Sequence, residues 1–386
     1  MVVKRLVLEK ADRLYHTPLT LDEFLPGSGR HKMVRRDIID LARLHWPQLP
    51  DNTAPECQPH RAAEEGDLKT LADVTAEWYR ARYGITLNPK KEIFISRSIR
   101  QILSLFTLAF LNPGDMLLIP DPGIWHYRAA AALASAETVP YHLTERNNYR
   151  PAVGSLSTSL TRLSKAMIIN SPHNPSGQIL TREGLSELLH LAGRENLILV
   201  LDQAFNEYID SDQPASLYGL PGGRKVALEL YSYAYNFGLG GLSLSLAIGQ
   251  PALIAGLRQA ARSFGLTVAL SEARLVLAAL DRYRANTGAL NSHFAENRKH
   301  ADQLCQALRL YPAQYRNGPF YWAKLPGRKQ SRRFARQLFL RSGLISAPGI
   351  AFGENGEGYL RFSLTPMAGQ YQKAVAAALK TIPGEG

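Results

Sequence analysis

Four side chains at separated places in the chain have types and settings suited to chemistry on a small polar ligand. Tyr235 stands in the segment Ser232-Tyr-Ala-Tyr-Asn-Phe-Gly-Leu-Gly-Gly-Leu-Ser-Leu-Ser-Leu-Ala-Ile-Gly249. It is a general acid, a hydrogen-bond donor or a filler of space, since a phenol with an unperturbed pKa of about 10 acts more readily as acid or donor than as base. Asp202 closes the apolar run that begins at Leu197. It either satisfies backbone donors at a strand end or serves a ligand, and the cost of burying a carboxylate without a cation favours the ligand. Asn174 lies in Asn170-Ser-Pro-His-Asn-Pro-Ser-Gly177, where proline and glycine are needed for turn geometry alone. Arg361, in Tyr359-Leu-Arg-Phe-Ser363, suits a structural ion pair or a bidentate grip on a carboxylate.

Short apolar runs alternate with helical patterns from about residue 68 to residue 250, the order expected of a mostly parallel sheet wrapped by helices. Strands are expected at Ile93 to Ile95, Met116 to Ile119, Ala166 to Ile169, Leu197 to Leu201, Leu230 to Tyr233 and Leu244 to Ile248. These runs lack strict alternation, as strands buried on both faces do. Thr181 is placed to cap a helix carrying Leu185, Leu188, Leu189 and Ala192 on one face, with Gly193 as its stop. Asn112-Pro-Gly-Asp115, Asp121-Pro-Gly123 and Asn174-Pro-Ser-Gly177 supply turns between the periodic segments. Beyond residue 255 long helices take over, followed by short strands around Phe320 to Leu325 and Tyr359 to Leu364. There is no internal repeat or low-complexity tract.

The 386 residues suit one large domain and a smaller one. A hydrophobic content of 45% with 20% charged residues is ordinary for a soluble globular protein, and no apolar stretch approaches the length of a membrane span. The charged start Met-Val-Val-Lys-Arg-Leu-Val-Leu-Glu-Lys does not read as a signal peptide. Cys57 and Cys305 offer neither a disulfide framework nor a metal-ligand cluster, so the cytoplasm is the expected compartment. The net charge of +12 is scattered rather than gathered into runs, which is weak support for nucleic-acid binding.

Read together, these segments resemble the class I/II aminotransferases of fold type I, enzymes that use pyridoxal phosphate (PLP). The residues carrying the resemblance are Asn170 to Gly177, Leu201-Asp-Gln-Ala-Phe205, the Ser232 to Gly249 loop, and Pro348-Gly-Ile-Ala-Phe-Gly353 with Tyr359 to Ser363. Residues 67–84 resemble the first helix of that family's large domain. The resemblance implies that Asp202 pairs with the pyridine nitrogen, that Asn174 contacts cofactor and substrate, and that Arg361 grips the substrate α-carboxylate. It also implies a lysine where this chain has Tyr235, a serine where it has Ala234 and an arginine where it has Ser243. Further departures fall on the phosphate turn, here Ser98-Ile99-Arg100, on the ring-stacking aromatic, here Ile124 unless Trp125 takes its place, and on Phe205. The partner-subunit tyrosine region reads His60-Arg61, and a glycine of the N-terminal segment falls at Leu44-His45. Arg97 and Arg100 fall near the phosphate turn, bound to an anion or exposed, and His45, His126 and His173 are near-site by the same comparison.

From this reading the expected fold is an α/β aminotransferase-like one. Residues 1–51 form an arm and part of the small domain, 52–265 the large domain, and 266–386 a connecting helix and the C-terminal small domain. The expected site has Tyr235 and Asp202 as catalytic residues and Arg361, Asn174, Ser243, Arg100 and Trp125 against substrate. Because covalent, phosphate and stacking anchors all depart from the family pattern, no PLP is expected, and with no metal-ligand cluster in the sequence no metal is expected either. The expected activity is acid–base chemistry on an amino-acid-like carboxylate without PLP: elimination, cyclisation, condensation or hydrolysis. The alternatives are a non-catalytic ligand-binding or regulatory protein and a PLP enzyme using another lysine, such as Lys225. A homodimer is expected because the family borrows site residues from the neighbouring subunit.

Overall fold

The computed structural model describes residues 21–25, 38–46, 65–209, 216–239, 242–280, 283–314, 317–327 and 329–381. His60, Arg61 and Cys57 lie outside them, as does most of the N-terminal arm. The main sheet is built from β2 (Ile93–Ser96), β3 (Met116–Asp121), β4 (Glu137–His142), β5 (Ser164–Asn170), β6 (Ile198–Asp202), β7 (Ala227–Ser232) and β8 (Ser245–Gly249), with β1 (Ile39–Asp40) outside it. Its order is β2-β8-β7-β6-β5-β3-β4, parallel throughout except that β8 runs against both β2 and β7.

The apolar runs are continuous because helices cover both faces. Alternate residues of β5 and β6 feed the two sides of the core around the main sheet: Met167, Ile169, Leu199 and Leu201 pack on one side, and Ala166, Ile168 and Val200 on the other. The first side is covered by α1 (Glu65–Tyr83), α4 (Arg182–Glu195) and α7 (Leu270–Leu280). The second is covered by α2 (Ile99–Phe110), α3 (Trp125–Leu133) and α6 (Pro251–Ser263); α5 (Tyr233–Asn236) is one short turn after β7.

A second core forms where α8 (Tyr283–Leu308) and α10 (Ala368–Thr381) pack on a four-stranded sheet. That sheet has the order β12-β13-β10-β9, from β9 (Tyr311–Pro312), β10 (Phe320–Lys324), β12 (Ala347–Pro348) and β13 (Tyr359–Ser363). α9 (Ser331–Ser342) leads into β11 (Leu344–Ile345), which pairs in parallel with β1.

Three local readings are corrected. β4 was missed because Glu137-Thr-Val-Pro-Tyr-His142 is polar and contains a proline, a sequence tolerated because this strand is an edge. β7 starts at Ala227 rather than Leu230, and Tyr233 belongs to the turn that follows. The helix capped by Thr181, whose hydroxyl accepts from Gly184 N at 3.3 Å, runs past Gly193 and stops at Asn196, in the left-handed region at φ 56°.

Candidate active site

Strands that point the same way deliver their carboxyl ends to one side of the sheet, and there a cavity of about 380 Å³ opens. All seven residues singled out from the sequence line it: Tyr235, Asp202, Arg361, Asn174, Ser243, Arg100 and Trp125. β6 ends in Asp202, the turn after β5 carries Asn174, the first turn of α2 carries Arg100, α3 begins with Trp125, and β13 brings in Arg361 from the second sheet.

Asp202 is 2% exposed. Its Oδ2 accepts from the Tyr127 hydroxyl at 2.9 Å and its Oδ1 from Ala204 N at 3.1 Å. Burial pushes its pKa up to about 6 against the pull of those two donors. Tyr127 was not read as a site residue, because nothing in its local sequence shows that the third residue of α3 faces the end of β6. Asn170 Nδ2 donates to the Asp202 carbonyl at 3.0 Å while Asn170 Oδ1 accepts from Asn174 N at 2.7 Å, so the turn and the strand end are held as one unit.

Arg361 is 3% exposed. Nη1 donates to Asn174 Oδ1 at 2.9 Å and Nη2 to the Ala42 carbonyl at 2.6 Å, while Nε has no partner among the described residues. The guanidinium sits 5.1 Å and 4.9 Å from the ring centres of Phe320 and Phe352. Burial lowers its pKa to about 9, so it is still charged at neutral pH, and no carboxylate among the described residues pairs with it. A buried cation without a counter-ion, facing a cavity, is built to receive an anion.

The Tyr235 ring stacks on Phe205 at 4.9 Å between centres and 25° between planes, with Trp46 at 5.2 Å. Its backbone carbonyl takes the Tyr208 hydroxyl. Burial raises the phenol pKa, opposed by the positive charge of Arg100. Tyr235 is therefore a neutral donor at neutral pH.

The near-site histidines divide. His126 lines the cavity and is held neutral, its pKa pushed down to about 3 by burial and then by Arg100. His173 is structural, tied to Ser176 Oγ at 2.7 Å and the Pro122 carbonyl at 2.9 Å. His45 lies outside the cavity lining, 3.4 Å from Asp40. Both Ile124 and Trp125 line the cavity, and Trp125 meets His126 edge-on at 4.9 Å. Lys225 is exposed before β7, at the end of that strand away from the cavity, so it cannot serve the site. No lysine lines the cavity among the described residues.

An α/β sheet of this order, with a strand-end aspartate and an arginine from a second sheet converging on one cavity, defines a fold type I enzyme architecture. A sequence profile described as Aminotransferase class I and II matches residues 57–378. The chain belongs to that family, a family of enzymes. It is 31% identical to LL-diaminopimelate aminotransferase of Aquifex aeolicus over 375 residues, covering 93% of this chain and 95% of the relative. It is 30% identical to the protein of the same name from Halothermothrix orenii over 373 residues, covering 93% and 95%. Among solved structures it superposes on a Pyrococcus protein-A1 with a TM-score of 0.85 at 22% identity, covering 96% and 97% of the two chains. It superposes on N-succinyldiaminopimelate aminotransferase of Mycobacterium tuberculosis with a TM-score of 0.83 at 21% identity, covering 97% and 100%. These two show the fold.

The comparisons overturn the expectation of a PLP-independent, lysine-lacking protein with no cofactor. Relatives named as aminotransferases match more than nine-tenths of the chain, and the family works with PLP, so a cofactor is expected. The sequence reading took the joint departures at the covalent, phosphate and stacking positions as loss of the cofactor, and the match to aminotransferases over nearly the whole chain overturns that step. Asp202, Asn174 and Arg361 converge on the cavity and fit PLP and an amino acid as a buried acceptor for a ring nitrogen and a cation for a carboxylate, while the phosphate-turn and stacking positions are Ile99 and Ile124.

Proposed function

We propose that the chain is a PLP-dependent aminotransferase acting on an α-amino acid and a 2-oxo acid. The observation that carries this reading is the buried, carboxylate-free Arg361 sharing one cavity with the buried Asp202. Bound PLP supplies a carbonyl that exchanges for an amino group and a ring that takes up electrons. Asp202 would hold the ring nitrogen of the bound cofactor, and Tyr127 keeps its carboxylate oriented. Arg361 takes the α-carboxylate, and Asn174, already bonded to Arg361, fixes the angle of approach. The Tyr235 hydroxyl, between the fields of Arg100 and Asp202, donates to an oxygen of the bound species.

The names of the relatives make LL-diaminopimelate the first amino acid to test. The homodimer, the cytoplasmic location and the two-domain division at residues 52–265 and 266–386 are parts of the same proposal. The separate core of α8 and α10 supports a small domain, although α7 packs on the main sheet and so puts the boundary past residue 280, and the family's habit supports the dimer. No described helix is long and apolar enough to cross a membrane.

The test is calorimetric titration with PLP, followed by a transfer assay over a panel of amino acids with 2-oxoglutarate. Saturable PLP binding and transfer from at least one amino acid are expected. Arg361→Met should raise KM for the amino acid by roughly 30-fold or more, as losing a buried charge partner costs about 2–5 kcal/mol, and leave PLP affinity within about threefold. Absence of both PLP binding and transfer would sink the reading.

A further inference from the structure

We propose that α9 and α10 present a cationic face that holds the phosphate backbone of double-stranded nucleic acid, DNA or RNA, whatever its base sequence. The inference does not depend on the cavity or its cofactor. Along the chain the positive charge forms no long run, yet it is unevenly shared. Residues 303–386 contain twelve Lys and Arg against three Asp and Glu, which is nine of the chain's twelve net positive charges.

Helical period gathers these charges onto one surface. At about 100° per residue, Arg332, Arg333 and Arg336 of α9 fall within about 100° of arc, opposite the buried Ser331, Ala335 and Leu338. The three arginines are exposed, as are Lys329 just before the helix and Arg341 in its last turn. α10 packs beside α9, and its exposed Lys373 and Lys380 stand two turns apart. Neither helix contains an Asp or Glu. Exposed lysines nearby in the chain are matched by carboxylates, Lys299 by Glu296 at 3.1 Å and Lys324 by Glu145 at 2.7 Å. Glu357 takes the amide and hydroxyl of Ser331, so its carboxylate is spent on the start of α9 rather than along the arginine face.

The make-up of the face selects the partner. Guanidiniums pair bidentately with phosphate, and twelve residues of helix extend about 18 Å, the length of about five phosphates along one duplex strand. A protein interface needs an apolar centre, whereas the exposed large apolar side chains of these helices are Leu340 and Leu379, one to each, among the described residues. A helix lying in a bilayer surface buries its apolar face in lipid, but α9 commits that face, through Ala335 and Leu338, to its own domain core. Single strands are held by stacking bases on aromatic rings, and neither helix exposes one among the described residues. A duplex, read by its backbone alone, fits what remains.

The experiment follows the fluorescence anisotropy of a labelled DNA duplex and an RNA duplex, each of about 24 base pairs, between about 50 and about 200 mM salt. Binding to at least one duplex is expected, with the logarithm of the affinity falling against the logarithm of salt at a slope of about −4 to −5. The tighter duplex identifies the source of the phosphates. Arg333→Gln with Arg336→Gln, shown folded by melting curves, should weaken binding roughly tenfold or more at low salt and make the slope shallower by about two. Lys373→Gln with Lys380→Gln makes the same test from α10 and leaves α9 untouched. Lys90→Gln with Lys91→Gln removes two exposed charges from the large domain and should change neither affinity nor slope. No binding to either duplex at about 50 mM salt overturns the proposal. Equal losses from the Lys90 and Lys91 pair overturn it too, as net charge rather than this face would then be responsible. So does tighter binding to phosphatidylglycerol vesicles or to polyglutamate than to both duplexes, which would assign the face to a membrane or to an acidic protein.

Discussion

At the scale of single residues, burial moves the pKa of the groups that line the cavity away from their values in water. Burial raises the pKa of Asp202 from 3.8 to about 6, which corresponds to about 3 kcal/mol. Because the folded value is the higher one, the neutral acid's contribution to stability is complete below about pH 4 and is lost as pH rises through about 6. Asp202→Asn should therefore melt with the wild type near pH 4 and be more stable by up to about 3 kcal/mol at pH 8. Melting curves across that range check it, and a variant that is less stable at pH 8 would show that the ionised Asp202 is compensated. The same substitution should weaken PLP most at high pH, since the carboxylate is the better acceptor for a ring N–H.

The elements that deliver these residues are pinned by polar contacts as well as by apolar cores. Glu229, fully buried in the middle of β7, accepts from the hydroxyls of Tyr79 at 2.7 Å, Tyr231 at 2.8 Å and Ser216 at 2.9 Å and from Tyr218 N at 3.2 Å. This ties α1 to the strand whose end carries Ser232 and the Tyr235 turn. Glu229→Leu strands those donors in the interior and should cost roughly 3 kcal/mol or more in urea unfolding, while Glu229→Gln, which keeps an acceptor, should cost distinctly less. Equal losses from the two would mean that packing volume, not hydrogen bonding, sets the effect.

For the whole molecule, the site exists because two cores meet around it. Asn355 donates from its backbone and side chain to Asp121 at 3.2 Å and 2.9 Å, fastening the loop before β13, and hence Arg361, to the end of β3. The Ser363 amide reaches Leu41 and the Arg361 guanidinium reaches Ala42, so the segment after β1 closes the other side. If the protein is the homodimer we propose, sedimentation at micromolar concentration should give twice the 42.8 kDa chain mass. PLP should raise the melting temperature in proportion to the logarithm of its concentration. A monomeric sedimentation profile at that concentration would count against the dimer.

The βα alternation, the both-face apolar strands, the Asn174 turn and the Asp202 strand end were legible because they depend on local pattern: hydrophobic period, turn chemistry and the order of segments. The family followed from the same residues. What the sequence could not show was distance. Tyr127 reaches Asp202 across 75 residues and Asn174 reaches Arg361 across 187, and no local pattern encodes such pairings. Tyr235, Ser243, Ala234, Ile99 and Ile124, read together along the chain, suggested a site emptied of its cofactor, a reading the family match overturns. Only the folded sheet sets Arg100, Ser98 and Ser232 in the same cavity as Arg361. Local propensity is a property of neighbours along the chain, whereas a binding site is a property of neighbours in space, and here strand register and the meeting of two cores decide which side chains those are.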